Sequence, residues 1–359
     1  MTLRVQASVP RRLEQIALLR LDEKMLAATY ERTGPAADVL TLGQTATPVA
    51  SAGEVLVRVH ASGINPADVK RRAGWRGAGM DHPLIIPHTD GAGQIVAVGA
   101  GVDAARVGER VWMWNAQGSY GEPGRAFGTA AEFIAIDSLQ AVRLSDRLDY
   151  AEGANLGVPA MTAHRALFAD GPVTGQTIFV NGAAGAVGHF AVQMAVAGGA
   201  RVIGTVSTAA GAALVTRAGA FATIDRNNED VAARILALTG GDGVDRIVEV
   251  DFGANLALDA AVLKRNGTVA AYSSSSNTTP VLPYYAFAIK GANLRFIQSF
   301  FLPPAERLAG EKMIAELADA GRLTVAIGAR LPLQDIVKAH EAVERGGLGS
   351  MVLMLDGAQ

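Results

Sequence analysis

The sequence TIFVNGAAGAVGHFAVQMAVAGGARVIGTV, residues 177–206, decides the fold that we expect for this chain. Its first four residues, Thr177 to Val180, are apolar and β-branched enough for a buried parallel strand. Beyond a glycine-rich turn, an alanine-rich segment without proline predicts a helix that ends at Gly198 and Gly199. The apolar run from Arg201 to Val206 predicts a second strand. Together these segments form one βαβ unit, the building block of a doubly wound parallel sheet.

The turn has the composition of a dinucleotide-binding loop. Gly185 and Gly188 keep the spacing of the last two glycines in G-x-G-x-x-G, and Ala183 stands where the first would be. Glycine lets backbone amides approach a pyrophosphate closely, and the following helix directs its positive end toward the anion. A glycine-rich loop in another kind of α/β protein is the alternative. The strand-turn-helix context favours the cofactor site, with contacts expected from Gly182, Ala184, Gly185, Ala186, Val187 and Gly188.

The end of the second strand indicates which dinucleotide binds. NAD sites usually place a carboxylate there to accept hydrogen bonds from the adenosine ribose, whereas this chain continues with Ser207 and Thr208. Hydroxyl groups and a nearby cation would hold a 2′-phosphate that a carboxylate would repel. Arg226 is the candidate cation, while Arg217 better fits the solvent face of its helix. We therefore expect NADPH rather than NADH.

Bulk composition narrows the class of protein. At 359 residues, half of them hydrophobic, the chain is long enough for two domains. Its formal charge of −2 gives no global basic field for nucleic acid, and without cysteine it cannot form disulfides or cysteine-based metal sites. No apolar run reaches the roughly 18 residues of a membrane span, and charged residues interrupt any signal-like segment near the start. We expect a cytoplasmic protein without a metal.

The rest of the chain predicts a β-rich part before this unit and continued α/β alternation after it. Short strands between residues 54 and 136, separated by turn signals, favour a small partly closed β-barrel. Leu148 to Asp170 predicts a helix, and residues 1–24 an added arm. Ser273 to Thr279 forms a polar loop beyond a strand's carboxyl end, where ligands of open parallel sheets bind. Leu294 to Phe300 predicts the last strand.

The order of several motifs resembles the medium-chain dehydrogenase/reductase superfamily. These motifs are EVLVRV (54–59), GINPAD (63–68), DGAG (90–93), VGERV (107–111), PAMTA (159–163), AAGAVG (183–188) and AHE (339–341). Within that superfamily the chain is most similar to the zinc-independent, zeta-crystallin-like quinone oxidoreductases. The resemblance implies an α/β fold with two domains. A GroES-like catalytic domain, the partly closed β-barrel, would take residues 25–152 and 302–359, and a Rossmann NADPH-binding domain would take residues 153–301.

Departures from the superfamily pattern are also informative. Zinc alcohol dehydrogenases in it have cysteine where Asn65 stands and a His-Glu pair where Thr89 and Asp90 stand. Both differences argue against a catalytic zinc. Many quinone oxidoreductases have tyrosine at the positions of Lys70 and Asp225, and often a lysine where this chain has Gly211. The resemblance then leaves Ser207 and Arg226 to hold the phosphate.

Three residues are candidates for the chemistry, namely Asn65, Lys70 and Thr162. Asn65 could donate a hydrogen bond to the cofactor or to a substrate carbonyl, or it could serve only as the turn residue before Pro66. Lys70 could polarise the acceptor oxygen or be a solvated surface charge. The resemblance puts the Thr162 hydroxyl near the nicotinamide; the alternative is a threonine satisfied within its own helix. Further cofactor contacts are expected from Ser207, Thr208, Arg226, Ser273, Ser274, Phe300 and Phe301.

These features predict an NADPH-dependent reductase that transfers hydride to a quinone or a similar electron-poor carbonyl acceptor. The cofactor supplies the hydride chemistry, so the protein needs mainly to position the ring and exclude water. One alternative is an enone or enoyl-thioester reductase on the same scaffold, and another is a non-enzymatic NADPH-binding sensor or structural protein. The expected partner is an apolar small molecule. An apolar edge strand and the resemblance together imply a homodimer.

Overall fold

The computed structural model describes residues 23–77, 79–118 and 124–355, so the arm predicted at residues 1–24 lies almost entirely outside the described residues. The described strands are β1 (Lys24–Thr29), β2 (Thr41–Ala46), β3 (Glu54–Ile64), β4 (Asp90–Val98), β5 (Arg110–Met113), β6 (Phe133–Asp137), β7 (Ala141–Arg143), β8 (Thr177–Val180), β9 (Arg201–Val206), β10 (Ala222–Asp225), β11 (Val244–Glu249), β12 (Leu263–Ala271), β13 (Asn293–Phe296), β14 (Ile327–Pro332) and β15 (Ser350–Met354). The described α-helices are α1 (Ala36–Val39), α2 (Pro66–Ala73), α3 (Tyr150–Gly153), α4 (Val158–Phe168), α5 (Ala186–Ala197), α6 (Ala209–Arg217), α7 (Val231–Leu238), α8 (Phe252–Val262), α9 (Tyr284–Ala288), α10 (Pro304–Asp319) and α11 (Ile336–Arg345). None of these described helices is long and apolar enough to cross a membrane.

A parallel sheet of six strands carries the glycine-rich turn. Its strand order is β10-β9-β8-β11-β12-β13, and every neighbouring pair runs parallel. The chain begins in the middle at β8, moves outward to β10 and then returns to add β11 on the other side of β8. This doubly wound order is that of the Rossmann fold, so the predicted fold class is confirmed. Because the order reverses between β8 and β11, a crevice for a ligand opens there at the carboxyl ends of the strands.

Apolar side chains cover both faces of this sheet. Val180 of β8 packs in one cluster with Met161 of α4 and Met194 of α5. The preceding residue, Phe179, points to the opposite face and packs in another cluster with Ile235 of α7. Burial on both faces explains why the strands appear in the sequence as apolar runs rather than as an alternating pattern.

A second sheet contains seven strands in the order β14-β15-β3-β4-β5-β7, with β6 also paired to β3. β14 and β15 run parallel, and the other pairs are antiparallel. The long strand β3 pairs with β6 through its first half and with β15 through its last residues. In the described part of the chain, the path ends at β14 and β7 without closing. The sheet is therefore an open one, in agreement with the predicted partly closed barrel of a GroES-like domain.

The helix predicted from Leu148 to Asp170 is divided in the structure into α3 and α4. The carboxylate of Asp90 occupies the break between them. A Cβ atom at Gly157 would lie 2.1 Å from Asp90 Oδ1, and the Val158 amide donates a hydrogen bond to Asp90 Oδ2 at 2.8 Å. A continuous helix would leave no room for this buried side chain, so the prediction was wrong at this point.

The last strand of the parallel sheet, β13, also differs from its prediction. It was expected to reach Phe300 but ends at Phe296. The chain then forms a 3₁₀ turn, Ser299–Phe301, and the Phe300 amide donates a hydrogen bond to the Gln298 side chain at 3.3 Å. A local side-chain cap therefore ends the strand inside an otherwise apolar sequence.

Candidate active site

The glycine-rich turn between β8 and α5 has the geometry of a phosphate cradle. Gly182 has a φ of +70°, and a Cβ atom at Gly188 would lie 2.2 Å from the Gly182 carbonyl oxygen. Only glycine allows this close approach of backbone to backbone. The first turn of α5 contains no acidic residue, and its amides have no acceptor within the helix. The residues at this turn therefore fit the pyrophosphate of a dinucleotide.

A buried chain of hydrogen bonds fixes the shape of this turn. The Gly182 amide donates to Thr205 Oγ1 at 2.9 Å, and Thr205 Oγ1 donates to Asn181 Oδ1 at 2.6 Å. Asn181 Nδ2 then donates to Glu249 Oε2 at 2.9 Å. The chain crosses the crevice, because Asn181 follows β8 and Glu249 ends β11. Sequence reasoning missed it, although the single glutamate at the end of the apolar strand β11 was a visible signal.

The residues expected to hold a 2′-phosphate lie beyond the carboxyl ends of β9 and β10. Thr208 caps α6 by accepting a hydrogen bond from the Gly211 amide at 3.1 Å. The Asn227 side chain donates to the Ser207 carbonyl at 3.1 Å, which ties the two strand ends together. Ser207, Thr208 and Arg226 are all exposed. Hydroxyl groups and a cation are thus available at one edge of the sheet.

A carboxylate also lies at this edge. Asp225 is the last residue of β10, opposite Val206 in β9. Its oxygens accept hydrogen bonds from the Asn227 amide at 3.0 Å and from Asn228 Nδ2 at 2.8 Å. These bonds, the amide first, hold the pKa of Asp225 below its usual range. These bonds hold the carboxylate within its own turn. The assignment of the phosphate to Ser207 and Arg226 stays a prediction.

Asn65 is held by a buried acid. Its Nδ2 donates to Asp90 Oδ2 at 2.8 Å, and its backbone amide donates to Asp68 Oδ2 at 2.7 Å at the start of α2. Asp90 is only 1% exposed, and this burial raises its pKa well above the usual range, against the opposing effect of the Asn65 hydrogen bond. Asp90 thus fixes the orientation of the Asn65 amide, a role that sequence reasoning did not assign to it.

Lys70 lies at the other side of the cleft. Its Nζ donates to Ser275 Oγ at 2.6 Å and lies 4.9 Å from the centre of the Trp75 ring. Ser275 in turn forms a hydroxyl hydrogen bond with Ser273 at 2.9 Å. This contact joins α2 to the polar loop after β12, so Lys70 and Ser273 are brought together. Ser274 instead accepts a hydrogen bond from the Gly253 amide at 2.9 Å.

The remaining predicted residues lie around α4. Thr162 is a buried residue of α4, and this helix packs against the 3₁₀ turn that contains Phe300 and Phe301. The Phe300 carbonyl accepts a hydrogen bond of 3.4 Å from Asn115 Nδ2, whereas the Phe301 side chain is more than half exposed. Trp112 and Trp114 belong to the buried core.

The described residues offer little to a metal ion. No three histidine, aspartate or glutamate side chains in residues 23–77, 79–118 and 124–355 come together in a way that could hold one. Where zinc alcohol dehydrogenases of the superfamily have a cysteine and the glutamate of a His-Glu pair, Asn65 and Asp90 are hydrogen-bonded to each other. An amide N–H that points at a carboxylate uses the lone pairs that a metal would need.

Comparisons with known proteins agree with this geometry. Residues 51–146 match the family Alcohol dehydrogenase GroES-like domain, and residues 186–317 match the family Zinc-binding dehydrogenase. Quinone oxidoreductase from Homo sapiens is 30% identical over 93% of this chain and 99% of its own length. The 2-haloacrylate reductase of a Burkholderia species is 28% identical over 92% of this chain and 98% of its own.

A solved structure gives the same result. A mycobacterial protein complexed with NADPH has a TM-score of 0.79 and 28% identity, covering 92% of this chain and 100% of that one. The quinone oxidoreductase relative and this structure each cover more than 90% of the chain, so the match includes both sheets. The chain therefore belongs to the quinone oxidoreductases of the medium-chain dehydrogenase/reductase superfamily, and it is an oxidoreductase.

Proposed function

We propose that this protein is an NADPH-dependent reductase that transfers hydride to a quinone or a similar electron-poor carbonyl compound. The observation that carries the proposal is the reversal of strand order between β8 and β11, the switch point at which sheets of this kind bind their ligands. The glycine-rich turn borders it, and the hydrogen bond from Asn181 to Glu249 crosses it. We assign residues 153–301 to the NADPH-binding domain, and residues 25–152 with 302–359 to the catalytic domain. The related human enzyme named quinone oxidoreductase supports the acceptor class.

The cofactor supplies the hydride, and the residues of this chain orient the two reactants and exclude water. An asparagine amide has two N–H donors. One of those on Asn65 is used by Asp90, and we assign the other to the cofactor amide or to the acceptor oxygen. We assign Thr162 to the nicotinamide end, and Lys70 to the charge that develops on the acceptor oxygen. The proton of the product comes from solvent.

A second acceptor class is an enone or an enoyl thioester, to which hydride would be delivered at the carbon β to the carbonyl. The Burkholderia relative named 2-haloacrylate reductase supports this alternative. So does the ammonium group of Lys70 beside the polar loop after β12, because a cation at the cleft would suit an acceptor with a negative charge.

Steady-state oxidation of NADPH with a panel of quinones, enones and enoyl thioesters tests the proposal. We expect kcat/KM for quinones to exceed that for the other acceptors by at least tenfold. A Gly185→Val variant that does not bind cofactor gives the background rate. Preference for an enoyl thioester would support the second class instead. Tight NADPH binding without turnover of any acceptor would contradict both and favour a non-enzymatic role.

Lys70→Met separates the two acceptor classes further. Loss of the ammonium group should lower kcat for quinones if Lys70 stabilises the acceptor oxygen. It should instead raise KM for acidic acceptors alone if Lys70 attracts a carboxylate.

A further inference from the structure

Two acidic side chains are buried beneath the cofactor crevice. Glu249 ends β11, Asp259 lies on α8, and both are 0% exposed. Neither carboxylate oxygen of Asp259 has a protein donor as partner. An ionised carboxylate that is buried without a donor is strongly unfavourable. This cost favours a protonated Asp259.

One proton shared between the two acids removes this cost. Two ionised carboxylates can only accept hydrogen bonds, whereas a protonated Asp259 can donate one to Glu249. Burial first, and then the charge of Glu249, raise the pKa of Asp259 to about 9. Burial and the same charge also raise the pKa of Tyr272, which faces Glu249 from the end of β12. At neutral pH the pair therefore has one proton and one negative charge.

The negative charge belongs on Glu249, because its other neighbours are donors. Asn181 Nδ2 and Asn255 Nδ2 each donate to it at 2.9 Å, and the Asp251 amide donates as well. Through Asn181 and Thr205, the chain of hydrogen bonds reaches the Gly182 amide in the glycine-rich turn. α8 itself packs in an apolar cluster, to which α7 and α9 contribute Ile235 and Phe287.

We propose that Glu249 and Asp259 are positioning residues for NADPH, and that their shared proton keeps the glycine-rich turn in the shape that receives the pyrophosphate. When the proton leaves Asp259 for solvent, two negative charges face each other in a site that water does not reach. Glu249 must then move away, and it releases Asn181 and with it the Gly182 amide. The inference concerns dinucleotide binding, and it holds whichever acceptor is reduced.

The dependence of NADPH affinity on pH tests this inference. Fluorescence titrations of the full chain between pH 7.5 and pH 10 give the dissociation constant, and circular dichroism follows the fold. Above the pKa of Asp259, at about 9, a binding step that requires the proton weakens about tenfold per pH unit. We expect the wild-type protein to bind NADPH about tenfold more weakly at pH 10 than at neutral pH. An affinity that stays constant to pH 10 would overturn the inference.

Asp259→Asn distinguishes a positioning role from general alkaline loosening. The asparagine amide can donate to Glu249 as the protonated acid does, but it cannot ionise. We expect its affinity at pH 7.5 to lie within about threefold of wild type, and to change less than twofold up to pH 10. Asp242→Asn, the same change at an exposed aspartate before β11, should follow the wild-type curve. If Asp259→Asn lost affinity together with the wild type, the pair would not be the cause.

Glu249→Gln provides a second, independent test. Glutamine replaces one carboxylate oxygen of Glu249 with an NH₂ group, which would face one of the N–H groups that now donate to Glu249. NADPH binding at pH 7.5 should therefore weaken about tenfold. Without the charge of Glu249, ionisation of Asp259 no longer sets two negative charges against each other, so the alkaline loss of NADPH affinity should disappear. An alkaline loss as large as that of the wild type would contradict the shared proton, even if Asp259→Asn did not fold.

Discussion

Arg226 is an exposed residue directly after β10, at the sheet edge where Ser207 and Thr208 follow β9. A charge-assisted contact to a phosphate contributes roughly 1.5–3 kcal/mol, which corresponds to about 10- to 150-fold in affinity. We therefore expect NADPH to bind at least tenfold more tightly than NADH, and Arg226→Ala to reduce that gap by weakening NADPH alone. Fluorescence titration with both cofactors measures it. Arg217→Ala, at the far end of α6, is the matched control.

Two results of these titrations would contradict the assignment of the phosphate to Arg226. If Arg217→Ala weakened NADPH and Arg226→Ala did not, the phosphate would lie along α6 rather than at the end of β10. If the two cofactors bound the wild type equally, Asp225 would be serving as the ribose acceptor despite its bonds to Asn227 and Asn228.

A buried pair of histidines predicts how stability depends on pH. Thr129 Oγ1 donates to the Asp90 carbonyl at 2.6 Å, so Ser62 must donate to Thr129 at 2.8 Å. His88 Nδ1 then donates to Ser62 at 2.8 Å, and His340 Nε2 donates to His88 Nε2 at 2.9 Å. Both rings are neutral in this arrangement, since every hydroxyl proton is already used.

Burial of both rings lowers their pKa values. Burial first, and then the charge of Arg72, lower the pKa of His340 to about 3, and the pKa of His88 also lies well below its usual value. The unfolded chain takes up protons near pH 6.5, while the folded chain does not. Stability is therefore complete above pH 6.5 and falls as the pH drops toward 3. At pH 5 His340 should cost about 2 kcal/mol, and His88 acts in the same direction.

Urea unfolding at pH 7 and pH 5 measures this loss. His340→Gln keeps an N–H donor for His88 but cannot take up a proton. Between pH 7 and pH 5 we expect the variant to lose about 2 kcal/mol less stability than the wild type loses. Equal losses in the two proteins would mean that carboxylates, and not the histidines, set the acid limit.

At the scale of the secondary-structure elements, the turn between β8 and α5 gives two different predictions for two glycines. A Cβ atom at Gly185 would lie 3.2 Å from the Gly182 carbonyl oxygen, against 2.2 Å for one at Gly188. Gly185→Val should therefore leave the protein folded but abolish NADPH binding, because its side chain fills the space that a phosphate needs. Gly188→Ala should lower the melting temperature itself, since the backbone must move. Thermal unfolding and cofactor titration of both variants separate these effects.

The elements show how far the sequence leads. The bounds of β8 and β9 agree with their predictions, because each is a short segment with strong local preference between clear turn residues. The break between α3 and α4 could not be predicted, since its cause is Asp90, nearly 70 residues earlier in the chain. β14 was missed as well: its alternating exposure gives no continuous apolar run.

In the candidate site, too, local patterns could be predicted from the sequence and contacts between distant segments could not. The turn, the hydroxyls after β9 and the polar loop after β12 could be found because each is a local pattern beside a predicted strand. The partners of Asn65 and Asn181 could not be found, because Asp90 and Glu249 are brought to them by the fold. A hydrogen bond between distant segments leaves no periodic signal in either segment.

At the scale of the whole molecule, β13 forms one edge of the parallel sheet. The Ile297 amide donates inward to the Ala271 carbonyl at 2.8 Å. Since successive amides of a strand point to opposite sides, those of Leu294 and Phe296 point away from the sheet. No other strand among the described residues pairs with this edge. An open edge of this kind favours pairing with another chain.

Exposed apolar side chains of β13 and of the segment that leads into it support the same conclusion. Val281 is 90% exposed, Tyr285 77%, Ile289 74% and Phe296 71%. Side chains of this size rarely lie together on the surface of a monomer. Two copies related by a two-fold axis would cover these side chains and satisfy both edges at once. We therefore expect a homodimer through β13.

Light scattering at micromolar concentration measures the mass, which should be about twice the 37.1 kDa of one chain. Phe296→Lys tests the surface, because a charge at the centre of the interface would be buried without a partner. We expect that variant to run as a monomer while its cofactor affinity and circular dichroism remain those of the wild type. Leu139→Lys makes the same change at an exposed leucine of the other sheet region and should leave the dimer intact. A wild-type mass of one chain would contradict the dimer, and a Phe296→Lys dimer would show that another surface is used.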